Sequence, residues 1–403
     1  LNDTDANQVL ASALTVPGTI TTFVATSVQT MDVQAIDLTN ADTTLTAVND
    51  VLFSTGTSTF DALTVNAGAS VAQLQDITVT TTTDINAAGG PVSLGDGQNS
   101  FGGAVDVEGS DVSLFSLGDL TVGTIDATGN LNFEAADTIA FTDSVTTTGN
   151  IVASADEGAG NDGIGSITIA NGESLSGADI TLTAPDAITL GDLTATGEVA
   201  LTATTIDTVA IDVDVVAGTD IQIDAVINAT ANLAFVADGD ETVTENISTT
   251  RNLTLRADDD LNTVGELVIG ADDALSANDV TLRSGRANRL LTLGNITAVG
   301  DVSVTTDADA TQAAATTIAA GGSFTTTVSR GARGDVTFDE GVDIAGAITV
   351  NNGDIVSIDS IGTATELGTI QANASLTVTS VGDVTQSGAV TAGGASSFTA
   401  NGR

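Results

Sequence analysis

The chain has 403 residues, of which 53 are acidic and eight are arginine, with no lysine, histidine or cysteine, for a formal net charge of −45. This balance excludes nucleic acid as a direct partner, because binding a polyphosphate requires cations to displace its counterions, and it disfavours an anionic membrane surface. The missing side chains also exclude histidine and thiolate catalysis and lysine Schiff-base chemistry.

Length alone suggests two or three globular domains, but the composition points elsewhere. The aromatics are 11 Phe without Trp or Tyr, and the remaining apolar residues are mostly Ala, Val, Ile and Leu, which suit a narrow core. No apolar run is long enough to insert in a bilayer. Residues 1–250 carry 35 carboxylates and no side-chain cation, whereas residues 251–403 carry 18 carboxylates and all eight arginines.

In chain order, residues 1–60 read as irregular N-terminal coils. From 61 to 403 the expectation is one continuous repeat array without a clear linker, regular from about 145. Early units occur at Leu63-Thr64-Val65, Leu120-Thr121-Val122 and Leu131-Asn132-Phe133. Later, an apolar–Thr–apolar triplet begins at Val145, Ile167, Ile188, Ile211, Leu233, Leu253, Val280, Val302, Phe324, Ile348, Leu376 and Phe398, a period of about 22 residues. The alternation within each triplet is that of a strand with one apolar face, and the central Thr suits an exposed strand surface. Shorter strands such as Leu193-Thr194-Ala195 and Ile296-Thr297-Ala298 lie between them, closed by Gly, Asn or Asp. These closing residues are read as supplying left-handed corner conformations.

A unit this short cannot bury its apolar side alone, and stacking successive units coil on coil buries it. The fold expected is all-β, a right-handed parallel β-helix (β-solenoid) with about 22 residues per coil and roughly 18 coils. An antiparallel sandwich array would need a hairpin signal between successive strands, and Asn-Gly pairs such as Asn171-Gly172 and Asn401-Gly402 are too few. Ser397-Phe398-Thr399-Ala400 reads as a further core strand, so the chain is expected to continue or another subunit to dock there.

Glycine-cornered coils such as Gly294-Asn295-Ile296-Thr297-Ala298-Val299-Gly300-Asp301-Val302-Ser303-Val304 resemble those of filamentous-haemagglutinin-type adhesins and the passenger regions of large bacterial autotransporters. The resemblance lies in composition and period over roughly residues 100–403. It implies a secreted or surface-displayed right-handed β-helix used as stalk, adhesin or filament.

The acidic corners are the first candidate site. Asp238, Asp240, Asp258, Asp259, Asp260, Asp307 and Asp309 are hard oxygen donors of the type that suits calcium, the one cofactor expected. The alternative is solvated surface charge. Glu157 to Ile164 resembles a single calcium-binding nonapeptide, although such sites work as tandem copies. Arg256 and Arg283 each lie three residues beyond the first apolar position of their unit. They should therefore share a face on neighbouring turns and, with Arg286 and Arg289, form a self-association patch. Local pairing with the Asp258 to Asp260 run is the simpler alternative. Arg283 near Asp279 could imitate the base of a pectin-cleaving lyase, but no substrate cleft or sugar-stacking aromatic accompanies it, and no enzymatic activity is expected.

The reading is an extracellular or cell-surface structural protein, a segment of a filament, matrix or adhesin stalk that associates with other copies end to end or laterally. The alternative is an adhesin or calcium-dependent module recognising carbohydrate or a cell-surface or matrix polymer.

Overall fold

The computed structural model describes residues 2–3, 8–10, 21–95, 98–157, 162–208, 210–258, 265–270, 272–285, 290–329 and 334–402. The described chain is an all-β parallel solenoid of about 18 turns without helix. It divides into two compact units, residues 1–196 with 202–204, and residues 197–201 with 205–403.

In the first unit a typical turn carries three short strands, one per face. One turn runs Val51–Thr55, Ser58–Phe60 and Leu63–Ala67, and each strand pairs with its counterpart one turn away. The first face stacks Met31, Val51, Val71, Val92, Val112, Leu131, Ile151 and Ile180 in register. All eight are at most 2% exposed, so the ladder is a continuous apolar spine. The third face stacks Leu45, Val65 and Ile85, advancing 20 residues per turn. Leu120–Ala127 serves two faces at once, placing Leu120 opposite Ile139 and Asp126 opposite Thr146.

The second unit repeats the plan. Val213, Leu233, Leu253, Val280, Val302, Phe324 and Ile348 form its third-face ladder. Towards the C-terminus the strands lengthen through the corners, as in Ala347–Ser360 and Ala364–Ser380. In both units aromatic rings bridge the interior from different faces of a turn. Phe53 meets Phe60 edge-on at 6.2 Å between centroids, Phe133 meets Phe141 at 5.5 Å, and Phe324 meets Phe338 at 5.0 Å. Such pairs add to the burial of their area.

Three expectations from sequence are corrected. The expected series does not lie on one face throughout. Val145 stands opposite Leu175, whereas Ile167 stands opposite Ile139 and Ile188 on another face. Ile211 is 64% exposed and Val213 occupies the ladder in its place. Ile348 opposes Leu367, while Leu376 opposes Val356. Within the expected series, Ile167 with Ile188 on one face and Leu233 to Ile348 on another are true ladders. The physical reason is that all three faces use the same apolar–polar–apolar triplet, so a period count can lock onto any of them. Phe398, expected in the core, is in a strand opposite Val378 but is 50% exposed, since no further described turn covers it.

The corner glycines are the third correction. Among the described glycines positive φ occurs at Gly56, Gly89, Gly163, Gly172 and Gly341, and most corner glycines are needed for a different reason. A Cβ on Gly300 would lie 2.1 Å from Asp279 Oδ1, and one on Gly322 would lie 2.3 Å from Asp301 Oδ1. The turn below approaches so closely that only hydrogen fits.

The ladder predicts a sharp contrast between faces. Phe133→Ala should cost about 3–5 kcal/mol, and Thr281→Ala, on the exposed side of its strand, should stay within about 0.5 kcal/mol of wild type. Denaturant midpoints of the two variants measure both.

Candidate functional site

The polar exterior is organised at the corners, where strands end and backbone N–H groups would otherwise have no strand partner. Many turns place an Asp or Asn there whose side-chain oxygen accepts an N–H from the following turn. In the first unit Asp111 Oδ1 accepts from Asn130 N at 2.7 Å, Asn130 Oδ1 from Asn150 N at 3.0 Å, and Asn150 Oδ1 from Asp179 N at 3.3 Å. In the second unit Asp279 Oδ1 accepts from Asp301 N at 2.8 Å, and Asp301 Oδ1 accepts from both Ser323 N at 2.6 Å and Ser323 Oγ at 2.9 Å. A parallel column at another corner joins Asp220 to Asp240 N at 2.7 Å and Asp240 to Glu266 N at 2.8 Å. Further along the same corner Asp309 takes Asp335 N at 2.8 Å.

These ladders account for two of the candidate metal ligands. Asp240 and Asp309 each spend one oxygen on the backbone of the next turn. Asp238 sits beside Asp240 and donates its own N–H to Ala217 O at 3.1 Å. Asp258 and Asp307 are not surface groups, being 0% and 4% exposed. Asp258 adopts φ 63°, and a Cβ on Gly285 would fall 1.9 Å from its Oδ2. Asp259 and Asp260 lie outside the described residues. Among the described residues no three His, Cys, Asp or Glu side chains are grouped to hold a metal ion.

The arginines follow the expected register, with Arg256 directly opposite Arg283 on neighbouring strands. Arg283 is tucked toward the corner, with its Nη2 3.8 Å from Asp258 Oδ2 and its side chain 19% exposed. It pairs with Asp258, while Asp279 is engaged in a corner ladder. Arg286 and Arg289 lie outside the described residues, as do residues 158–161 of the nonapeptide-like segment. Just before that segment, the 4%-exposed Asp156 accepts N–H groups from Asp162 at 2.8 Å and Gly163 at 2.9 Å, tying the two ends of the loop together.

Two groups escape a reading by pattern. Glu241 stands between Ile221 and Leu267 in an inward ladder and is 0% exposed. Burial holds its carboxyl well above the usual glutamate range, and the Arg256 backbone N–H offsets part of this. Asn99 and Gln73, 0% and 3% exposed, exchange amide hydrogen bonds at 3.1 and 2.8 Å, and Asn99 also accepts Ile77 N at 2.9 Å. The corner ladders themselves had a signal in the recurrent Gly-Asx pairs that precede strands, Gly129-Asn130, Gly149-Asn150, Gly239-Asp240 and Gly300-Asp301. Glycine makes room for the oxygen below, and the next residue donates its N–H.

Residues 40–108 and 352–403 match the model of a family described as repeats of unknown function (DUF5649). Comparison with curated proteins and with solved structures finds no match. Both matched stretches advance 20 residues per turn, through Leu45, Val65 and Ile85 in one and Val356, Leu376 and Ser396 in the other.

Opposite pH responses separate the two kinds of carboxylate. The Ser323 backbone N–H, followed by its hydroxyl, holds Asp301 below its ordinary value of 3.8. The stability it contributes is therefore present above the unfolded value and lost as pH falls through the acid range. Glu241 has the reverse sign, with full stability below its unfolded value of 4.5 and loss as pH rises toward its folded value. Asp301→Ala should cost about 1 kcal/mol at neutral pH and flatten the acid limb of the midpoint–pH curve. Glu241→Gln should raise the neutral midpoint and remove the decline that sets in as pH rises above 4.5. Curves that superpose on wild type would refute these assignments.

Proposed function

We propose that this chain is an extracellular structural protein, a right-handed solenoid segment of a surface filament, matrix or adhesin stalk that associates with other copies of itself. The observation that carries the proposal is the register-true repetition of the exterior. On one face of the second unit Thr254, Thr281, Ser303, Thr325 and Thr349 occupy the same outward position on consecutive turns. Repeating one contact per turn builds length and a uniform surface. A cavity of about 410 Å³ in the first unit, bordered by Glu157, Thr183, Pro185 and Thr204, is an open groove without an aromatic platform. Association with other copies is supported by charge, since the cation-free first 250 residues and the arginines beyond them are complementary in sign.

The second reading is an adhesin or calcium-dependent binding module. It is favoured by stacked like charges such as Asp84 opposite Asp106 and Glu108 opposite Asp126, and by Asp273, whose carboxyl is raised first by burial and then by the charges of Glu245 and Asp272. A divalent ion would relieve such repulsion.

Negative-stain microscopy and light scattering of the purified chain test the first reading. Concentration-dependent polymers or bundles that loosen as salt is raised are expected. A discrete particle at every concentration and ionic strength would overturn it. Adhesion to a glycan or cell surface by that discrete particle, with a melting midpoint that drops on chelation, would favour the second reading.

A further inference from the structure

Most corner asparagines are engaged in turn-to-turn hydrogen bonds, and one conspicuous exception has the chemistry to modify itself. Asn171 and Gly172 lie in the exposed turn between the strands Ser166–Ile169 and Ser174–Gly177. Glu173 N closes the turn on Ala170 O at 3.0 Å, and Gly172 has φ 86°, the arrangement of a type II turn. In that geometry the turn bond uses the N–H of Glu173, and the N–H of Gly172 is not part of it. A Cβ on Gly172 would meet nothing within 4 Å, so the space around this amide is open.

We propose that Asn171 is a site of spontaneous deamidation. The Gly172 backbone nitrogen attacks Asn171 Cγ, a C–N bond forms, the Cγ–Nδ2 bond breaks, and ammonia leaves with the displaced amide proton. The product is a five-membered succinimide. Water then opens the ring at Cγ to give aspartate, or at the main-chain carbonyl to give isoaspartate, with the chain continuing through the side-chain carbon. Each event adds one carboxylate to a stretch of chain that contains no cation.

The same protein supplies its own control. Asn352-Gly353 is an identical dipeptide in a different setting. Asn352 is held at φ 63° with its Nδ2 donating to Val328 O at 3.4 Å. Gly353 is buried within a long strand, opposite Gly334 on one side and Ala372 on the other. A Cβ there would lie 2.5 Å from the Val356 side chain. Cyclisation at Asn352 therefore has to wait for local opening of the ladder, whereas Asn171 cyclises from the folded state.

The test is to incubate the folded chain at neutral to mildly alkaline pH, sample over time, and read both sites by peptide mass spectrometry and isoaspartate-specific methyl labelling. The Asn171 peptide should gain one mass unit, with isoaspartate label, roughly tenfold or more faster than the Asn352 peptide. In denaturant the two rates should converge. Asn171→Gln, an exposed change that leaves the fold intact by circular dichroism, should abolish the corresponding acidic species on isoelectric focusing. Equal rates in the folded chain or a faster Asn352 would each overturn the proposal, and so would acidic species undiminished in the Asn171→Gln variant once those carrying label at Asn401-Gly402 are set aside.

Discussion

Stacking each turn on the one before it at a fixed strand spacing of ~4.8 Å is the constraint on which the rest of the chain depends. It places residues of one kind above residues of the same kind. In the interior that is favourable, because a column such as Met31, Val51, Val71 and Val92 shares its buried surface with both neighbours. Each turn contributes little alone and is stable only against the next. The narrowness of the interior follows from the same geometry, and three edge-on Phe pairs are its bulkiest described contacts.

The same stacking makes a strongly acidic exterior costly, since like charges opposite one another across strands repel. The corners show how part of that cost is offset. Asp111, Asp220, Asp240, Asp279, Asp301 and Asp309 accept N–H groups from the next turn. A carboxylate used in this way is a connector between turns. The net charge is thus partly a by-product of joining turns, and Asp240 and Asp309 are among these connectors. Glycine completes the device by letting the carboxylate oxygen approach the backbone of the following turn.

Polar groups that enter the interior divide into two kinds. Asn99 with Gln73, and Asp156 with its loop, have defined partners and close irregular corners. Glu241 is different, since it interrupts an aliphatic ladder and neither of its carboxyl oxygens reaches a partner in hydrogen-bond geometry, the nearby Arg256 N–H offsetting its burial only in part. Buried polar groups specify structure when paired and cost stability when they are not. Here the first kind coincides with corners and insertions, where the chain most needs a unique path.

The alternation of Leu253-Thr254-Leu255 and its kin, the absence of Trp and Tyr, and the scarcity of hairpin signals determined a stacked parallel solenoid, because side-chain period and core width are local properties of the chain. The pairing of Arg256 with Arg283 was also legible, since equal offsets from equivalent strand positions must share a face. Which strands form a ladder was not, because Val145, Ile167 and Ile188 satisfy the same pattern on different faces and an insertion can be absorbed at any corner. Nor could the sequence separate a carboxylate that joins turns from one that faces water, or place Glu241 and Asp258 inside. Those distinctions depend on what the neighbouring turn presents 20 or more residues away, and only the stacked structure brings that neighbour into contact.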